Sequence, residues 1–269
     1  MTHDAPLTAG NARVKESRKL SRRSERSERR LFLADGPKAV EGALGTMLDS
    51  GASCLVEVFA TAQATEQYAE LAAAAPRWTL VDDRALASLS DSVTPAGVVG
   101  VCRFLDRPVD HVLDGSRLAA ICADVRDPGN AGTVIRCADA AGADAVVLAA
   151  HSVDPYNPKT VRASVGSLFH LPIALELDPA AAVRAARAAG LQVLAADGAG
   201  EVDLDDADEI LAAPTAWLFG NEAWGLPAEV ASLADHRVRI PIHGRAESLN
   251  LSTAAALCLY ASARVHRRS

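Results

Sequence analysis

Short apolar segments alternate with helical stretches through the second half of the chain, and this alternation constrains the fold more than any other feature. The apolar segments, each a predicted strand, are 118–124, 145–149, 171–175, 191–196, 216–220 and 237–241. One intervening helix has clear ends, because Asp178 and Pro179 precede it and Gly190 follows it. Such a pattern is typical of an α/β protein with a parallel sheet covered on both faces.

The first half predicts a smaller α/β module. Its predicted strands are CLVEVFA (54–60), RWTLVD (77–82) and GVVGVCRF (97–104), with helices predicted at 63–74 and 81–91. Ahead of them, Asp35 is predicted to cap a helix that runs from about Pro37 to near Gly51. A polar linker separates this module from the second half. The predicted segments are therefore 1–30, 31–106, the linker 107–115, and 116–269.

The net charge of −7 is an average over two unlike parts of the chain. Residues 1–30 contain nine basic and four acidic side chains, net +5, so the remaining residues contain 18 basic and 30 acidic side chains, net −12. A basic arm on an acidic body can bind a polyanion by neutralising phosphates. The alternative is a solvated helix with charge pairs four residues apart.

Composition excludes several classes of protein. Apolar residues make up 49% of the chain, enough for a packed core, yet no apolar run reaches the ~18 residues that cross a bilayer. The N-terminus is polar and basic, unlike a signal peptide. The five cysteines are scattered without C-x-x-C spacing, and the seven histidines show no ligand spacing. These features predict a cytoplasmic protein with no membrane segment, disulfide framework or metal.

The loops that follow strands are where ligands bind in α/β sheets, and the first unusual loop is DPGNAGTVIR. It opens a helix whose apolar stripe excludes Arg136, so that this side chain can meet a polyanion or form a surface ion pair. The loop lacks the G-x-G-x-x-G pattern, which disfavours a dinucleotide-binding enzyme.

Two later loops also contain polar residues at unusual places. In LFGNEAWGL, Glu222 follows a strand and can accept hydrogen bonds from a ligand or another loop, or serve as a cap. In IPIHGRAESLNLSTA, Ser248 is the predicted N-cap of the last helix. Asn250 interrupts an apolar stretch, and burying an amide costs about 1–3 kcal/mol unless it is paired. The sequence therefore predicts a hydrogen-bond partner for Asn250.

These three motifs, in this order, resemble the SpoU (TrmH-like) branch of the SPOUT RNA methyltransferases. SVDPYNPKTVRASVGSLFHLP between the first two motifs adds to the match, and LFLADGPKAVEGAL with PAGVVGVCRF resembles the family's substrate-binding domain. The resemblance covers about residues 12–266. It implies a C-terminal SPOUT α/β domain with a trefoil knot, preceded by a smaller N-terminal L30e-like α/β domain. In the second motif, Asn221 stands where the family usually has serine.

The resemblance also implies an activity, the transfer of a methyl group from S-adenosylmethionine to a ribose 2′-hydroxyl of RNA. Ribosomal RNA of the large subunit (23S) is the implied substrate, with transfer RNA as an alternative, and the implied assembly is a homodimer through the knotted domain. A catalytically silent RNA-binding or ribosome-assembly protein on the same fold is the other alternative. No metal is needed for this chemistry.

Site residues follow from the same resemblance. The implied catalytic residues are Arg136, Asn130, Glu222, Ser248 and Asn250. The implied cofactor-binding residues are Ala195, Ala196, Gly220, Asn221, Ile240, Leu249 and again Ser248. The basic residues expected to bind RNA are Arg13, Lys15, Arg18, Lys19, Arg22, Arg23 and Arg162. Because a guanidinium is very rarely a base, we expect Arg136 to bind the target phosphate rather than remove the proton.

Overall fold

The computed structural model describes residues 5–268. Residues 1–4, which include His3 and the start of the basic arm, and Ser269 lie outside the described residues. The chain divides into two compact units. The first unit comprises the chain up to Leu105 together with Asp154–His170, and the second comprises Asp106–Val153 with the chain from Leu171 onward. The segment Asp154–His170 thus belongs to the first unit, although it lies within the predicted segment 116–269.

Strands and helices are numbered in chain order. The strands are β1 (Leu31–Asp35), β2 (Leu55–Ala60), β3 (Trp78–Leu80), β4 (Val98–Arg103), β5 (Leu118–Ala123), β6 (Ala145–Ala149), β7 (Ile173–Glu176), β8 (Gln192–Ala196), β9 (Val202–Asp203), β10 (Thr215–Phe219) and β11 (His236–Arg239). The helices are α1 (Ala12–Arg18), α2 (Arg23–Arg29), α3 (Pro37–Leu44), α4 (Ala62–Gln67), α5 (Ala69–Ala74), α6 (Asp83–Leu89), α7 (Val109–Leu113), α8 (Pro128–Ala141), α9 (Pro158–Ser164), α10 (Pro179–Ala188), α11 (Asp208–Leu211), α12 (Ala228–Ala231) and α13 (Leu251–His266). No helix among these described residues is long and apolar enough to cross a membrane.

A four-stranded sheet forms the centre of the first unit, in the order β1-β4-β2-β3. β4 is antiparallel to both of its neighbours, and β2 is parallel to β3. The predicted cap at Asp35 is wrong, because Asp35 ends β1 and Gly36, at φ 95°, is the N-cap of α3. That φ lies in the left-handed region, which glycine adopts without strain. The helix then ends at Leu44, well before Gly51.

The N-terminal segment packs as part of the first unit. Val14 and Leu20 are fully buried in its core. Arg26 is only 2% exposed, and its guanidinium donates to Asp154 Oδ2 at 3.0 and 2.6 Å and to the carbonyls of Leu20 and Ser21. Because a buried charge is stable only when it is paired and hydrogen-bonded, this basic residue is part of the core structure.

The second unit contains a seven-stranded sheet in which every pairing is parallel, in the order β7-β6-β5-β10-β8-β11-β9. Alternate residues of the central strand β10 face opposite sides. Leu218 packs in a core with residues of α7 and α10, whereas Trp217 donates from its indole to Ser262 of α13 at 2.9 Å. The predicted parallel sheet with both faces covered is confirmed.

The sheet order places the three unusual loops at one edge. β10 lies between β5 and β8, and β8 lies beside β11, so the carboxyl ends of all four strands point the same way. Loops at the carboxyl ends of neighbouring parallel strands form the usual ligand site of such sheets. The last helix follows the third loop and begins at Leu251 with Asn250 as its N-cap. The prediction that Ser248 is the N-cap is therefore wrong.

Candidate active site

Glu222 connects the loop after β10 to the loop after β5. Its carboxylate accepts the backbone N–H of Arg126 at 3.2 Å and of Asp127 at 3.0 Å, and the side-chain amide of Asn130 at 3.3 Å. Asp127 is itself the N-cap of α8 and accepts from the backbone N–H of Asn130 at 2.8 Å. N–H hydrogen bonds and the positive end of the helix dipole both stabilise a negative charge at a helix start, so this position suits a carboxylate.

Asn250 extends this network to the third loop. Its side-chain amide donates to Asn130 Oδ1 at 3.0 Å, and its own Oδ1 accepts from the backbone N–H of Ser252 at 2.9 Å. The predicted partner of Asn250 is thus Asn130, although Asn250 is exposed rather than buried. Glu222, Asn130 and Asn250 form a continuous hydrogen-bonded chain across the three loops. We call this the Glu222 network.

The turn after β10 is held by short-range bonds. The backbones of Asn221 and Gly225 exchange two hydrogen bonds of 2.9 Å, and the side chain of Asn221 donates to the Asp124 carbonyl at 2.8 Å. A Cβ at Gly220 would lie 2.3 Å from the Gly225 carbonyl carbon. Only glycine permits this approach of two backbone segments. The turn 221–225 is therefore fixed in place before any ligand binds.

A cavity of about 320 Å³ opens beside this turn. Six of the seven predicted cofactor-binding residues line it, namely Ala196, Gly220, Asn221, Ile240, Ser248 and Leu249. Ala195 is fully buried within β8 and is not part of the lining. Asp197 and Glu247 also line the cavity, and sequence reasoning missed both. The position of Asp197, directly after the last residue of a predicted strand, was the available signal.

Electrostatics at the cavity favour a cationic ligand. Glu222 is held by N–H groups, and among residues 5–268 neither Glu222 nor Glu247 forms a salt bridge. Asp197, by contrast, has a cationic partner, since its Oδ2 lies 3.8 Å from Nη1 of Arg237. Two carboxylates without a cationic partner therefore lie at the cavity wall, where a positive charge is attracted.

Arg136 is an exposed residue of α8, six residues after Asn130 on the same helix. Within the part of the chain that the structure describes, its side chain has no hydrogen-bond or salt-bridge partner. The structure does not join Arg136 to Glu222, Asn130 or Asn250 in this chain. Its guanidinium retains its donors for an external anion.

Cys122 is a buried residue of β5 near the same site, and it does not take part in the chemistry. Burial, and next the negative charge of Glu222, raises the pKa of its thiol to about 12. The thiol stays protonated at neutral pH, so it does not supply a nucleophilic thiolate. Among residues 5–268 no group of His, Cys, Asp and Glu side chains is placed to hold a metal ion.

The basic residues predicted to bind RNA fall into two groups. Arg13 pairs with Glu57, Lys19 pairs with Glu16 at 2.8 Å, and Arg162 pairs with Asp91 at 2.6 Å. The second group is exposed and has no side-chain partner among the described residues; it comprises Lys15, Arg18, Arg22 and Arg23. All seven lie in the first unit.

Two residues near the Glu222 network were missed as site candidates. Arg126 and Trp224 lie in the loops after β5 and β10, and the Arg126 guanidinium carbon is 5.1 Å from the centre of the Trp224 ring. Their pairing joins positions 98 residues apart in sequence, so neither motif alone reveals it. The exposed aromatic within LFGNEAWGL was the available signal.

Comparisons with known proteins agree with this geometry. The family model of the SpoU rRNA Methylase family matches residues 117–260, and the model of the MRM3-like substrate binding domain matches residues 11–100. The chain is 32% identical over 256 residues to the 23S rRNA (guanosine(2553)-2'-O)-methyltransferase RlmP of Bacillus subtilis, covering 94% of this chain and 96% of that protein. It is 43% identical over 142 residues to the 23S rRNA (uridine(2479)-2'-O)-methyltransferase of Streptomyces viridochromogenes, covering 51% and 49%.

Solved structures show the same architecture. The AdoMet-bound rRNA methyltransferase from Sinorhizobium meliloti has a TM-score of 0.80 at 35% identity, with 97% of each chain covered. The SpoU methyltransferase AviRb from Streptomyces viridochromogenes, in complex with AdoMet, has a TM-score of 0.82 at 30% identity and covers 96% of this chain and 100% of that chain. The family model spans more than half of the chain, and the Bacillus relative matches along nearly its whole length. The chain belongs to the SpoU rRNA Methylase family.

Proposed function

We propose that this protein transfers a methyl group from S-adenosylmethionine to a ribose 2′-hydroxyl of 23S ribosomal RNA. The observation that carries the proposal is the Glu222 network, which joins the three family motifs beside a cavity at the carboxyl ends of β8, β10 and β11. Two relatives are 23S rRNA 2′-O-methyltransferases, and two structural neighbours are AdoMet-bound rRNA or SpoU methyltransferases.

The residues of the cavity fit the proposed cofactor. Apolar side chains such as Ile240 and Leu249 can cover an adenine ring, and the strand-end backbone at Gly220 offers polar groups close to the ligand. The carboxylates of Glu222 and Glu247 suit a cation. When bound, S-adenosylmethionine supplies an electrophilic methyl group on a positively charged sulfur.

The residues of this chain have separate tasks in methyl transfer. Glu222 holds the loops after β5 and β10 together, and Asn130 and Asn250 fix each other's amide groups. Such positioning lowers the barrier by holding the reacting groups in line. Arg136 binds the phosphate next to the target ribose and stabilises negative charge on the hydroxyl oxygen. A guanidinium does not accept the proton, so we assign its removal to solvent.

We further propose that the second unit contains the trefoil knot of the family and forms a homodimer through α8 and α13. Leu257 and Tyr260 of α13 are 44% and 51% exposed, and because they lie three residues apart on one helix they form an exposed apolar patch. Tyr260 also donates to the Ala140 carbonyl of α8 at 3.2 Å, so the two helices form one surface. Arg136 projects from the same pair of helices. Because the proposed substrate is ribosomal RNA, we also propose that the protein acts in the cytoplasm.

For RNA binding we propose that the first unit contributes the unpaired basic residues of α1 and α2. Lys15, Arg18 and Arg22 have no side-chain partner among the described residues, so each can neutralise a phosphate at no cost to the fold.

Mapping of methylated positions tests the proposal. The purified protein is incubated with S-adenosylmethionine and unmodified 23S, 16S and transfer RNA, and 2′-O-methylated nucleotides are located by their resistance to alkaline cleavage. We expect one position in 23S RNA to become resistant, with heat-inactivated protein as the control. Methylation of transfer RNA instead would overturn the substrate assignment. Cofactor binding without methylation of any RNA would favour a silent RNA-binding protein.

A further inference from the structure

Trp224 is an exposed indole at the edge of the candidate active site in a protein with only 4% aromatic residues. The other two tryptophans have partners in the fold: Trp217 is fully buried and donates to Ser262, and Trp78 donates to Thr65 at 2.9 Å. Trp224 is 56% exposed, and within the described residues its indole N–H has no hydrogen-bond acceptor. Apart from the Arg126 guanidinium beside its ring, the Trp224 indole therefore has no polar partner among the described residues.

The backbone that carries Trp224 is fixed. It lies within the turn closed by the paired backbones of Asn221 and Gly225, and Asn221 Oδ1 also accepts from the Ala223 N–H at 2.8 Å. Gly225 has a φ of 69°, which completes the turn. A ligand that contacts Trp224 thus meets a side chain on a rigid support, so that little ordering entropy is lost on binding.

Arg126 is held against this indole from the neighbouring loop. Its Nε donates to Asp124 Oδ1 at 3.0 Å, while its backbone N–H donates to Glu222. The Arg126 side chain is 54% exposed, and its two terminal nitrogens have no hydrogen-bond partner among residues 5–268. The guanidinium is therefore oriented by one nitrogen and presents the other two to solvent beside the Trp224 ring.

We propose that Trp224 and Arg126 form a binding site for one unpaired nucleotide of the RNA, next to the nucleotide that is methylated. The base stacks on the free face of the Trp224 indole, and its phosphate accepts hydrogen bonds from the terminal nitrogens of Arg126. Unpaired bases in RNA are commonly recognised by aromatic and guanidinium planes of this kind. Arg126 donates its backbone N–H to Glu222, and Trp224 lies two residues after Glu222 in the same turn, so the stacked nucleotide is held in register with the catalytic loops. This inference rests on the proposed function.

Fluorescence tests the stacking directly. A single-stranded oligouridylate is titrated into the wild-type protein, and emission of the exposed tryptophan is expected to be quenched as the base stacks. Trp224→Phe should abolish the quenching, whereas Trp78→Phe, the matched control, should retain it. Quenching that persists in Trp224→Phe would overturn the proposal, and this readout does not require methylation.

Steady-state kinetics with the unmethylated RNA substrate separates a positioning role of Trp224 from a structural one. Trp224→Ala should raise the KM for RNA roughly tenfold, as the loss of one base–aromatic stack predicts, and leave the KM for S-adenosylmethionine unchanged. Trp224→Tyr should restore the KM. Arg126→Gln should lower the salt dependence of RNA affinity by about one phosphate contact.

The outcomes distinguish this inference from the proposed function. If the wild-type protein methylates RNA and Trp224→Ala does so with the same KM, the stacking site is absent while the proposed function stands. If Trp224→Ala changes the oligomeric state measured by light scattering, Trp224 belongs to an interface between two copies and the stacking site is also refuted. If the wild-type protein methylates no RNA yet its Trp224 fluorescence is quenched, the proposed function fails while the nucleotide site stands.

Discussion

Polar residues of the active-site loops and basic residues of the first two helices differ in how the fold uses their hydrogen-bonding groups. In the second unit, Asn130 bonds to both Glu222 and Asn250, whereas the side chain of Arg136 has no partner among the described residues. In the first unit the basic side chains are divided. Arg26 is buried with Asp154, whereas other arginines of the same segment remain unpaired in the described chain.

This difference shows that charge counted along a sequence does not measure charge available to a ligand. The net +5 of residues 1–30 includes side chains that are already neutralised inside the first unit. A cation with a carboxylate partner stabilises the fold, and using it to bind RNA would require breaking that contact. A cation without a partner can bind phosphate with no such cost. Each prediction below compares residues of these two kinds.

The largest effect is expected at Arg136. Arg136→Ala should lower the single-turnover methylation rate by about 10³-fold or more, because a contact that stabilises charge in the transition state is lost. Since Arg136 has no partner among the described residues, the melting temperature and the affinity for S-adenosylmethionine should not change. Calorimetry with the cofactor measures the second quantity. Activity within a few-fold of wild type would refute the role of Arg136 in catalysis.

Arg26 is the opposite case, a basic residue whose removal should damage the fold. Arg26→Ala should lower the free energy of unfolding of the first unit by about 3–5 kcal/mol, because it leaves the Asp154 carboxylate partly buried without its cation. Urea unfolding measures the change. Arg22→Ala, which removes an exposed arginine of the same segment, is the matched control and should change stability by less than about 0.5 kcal/mol.

The double variant Arg26→Ala with Asp154→Asn sharpens this comparison. It should recover part of the lost stability, since the unpaired negative charge is gone. If Arg26→Ala and Arg22→Ala were equally stable, the distinction between paired and unpaired cations would have no energetic meaning here.

The sequence predicted the second sheet well because its strands are continuously apolar and separated by helices with clear ends. Asp178, for instance, caps α10 as predicted by accepting from the Ala180 N–H at 2.9 Å. The sequence did not predict β1, because its residues LFLAD are followed at once by Gly36 and α3 and resemble the start of that helix.

What sequence reasoning missed at the site depends on contacts between distant residues. Ser248 and Asn250 are both good capping residues, and only the bond from Asn250 to Asn130, 120 residues away, shows how the second is held in place. The burial of Arg26 likewise depends on Asp154, which is 128 residues away. Local propensity contains no information on such pairs.

Glu222 tests whether the bonded network matters to catalysis as much as the unpaired arginine does. Glu222→Gln should lower kcat/KM about 10- to 100-fold. Glutamine keeps one acceptor oxygen, but its amide nitrogen would replace the oxygen that accepts from either Arg126 or Asp127, so one backbone N–H would lose its acceptor and the loops would be held less tightly. Glu229→Gln on α12, an exposed carboxylate, is the control and should be indistinguishable from wild type. Equal activity of both variants would show that the Glu222 network does not position the site.

The smallest effect is expected from the basic residues of the first unit, and it requires two matched double variants. Arg18→Ala with Arg22→Ala removes two unpaired cations, whereas Lys19→Ala with Arg29→Ala removes two that contact Glu16. Binding to the RNA substrate is measured as a function of salt. The first variant should reduce the slope of log affinity against log salt by about 1.5, because two phosphate contacts are lost.

The second variant should reduce the slope by less than the first, because Lys19 and Arg29 share the Glu16 carboxylate in the free protein and together supply only about one net positive charge. The two variants have the same net charge, so only the pairing of the removed residues differs between them. Equal slopes for both would mean that the RNA responds to the total charge of residues 1–30. A smaller slope for the first variant than for the second would mean that binding depends on the cations that the fold leaves free.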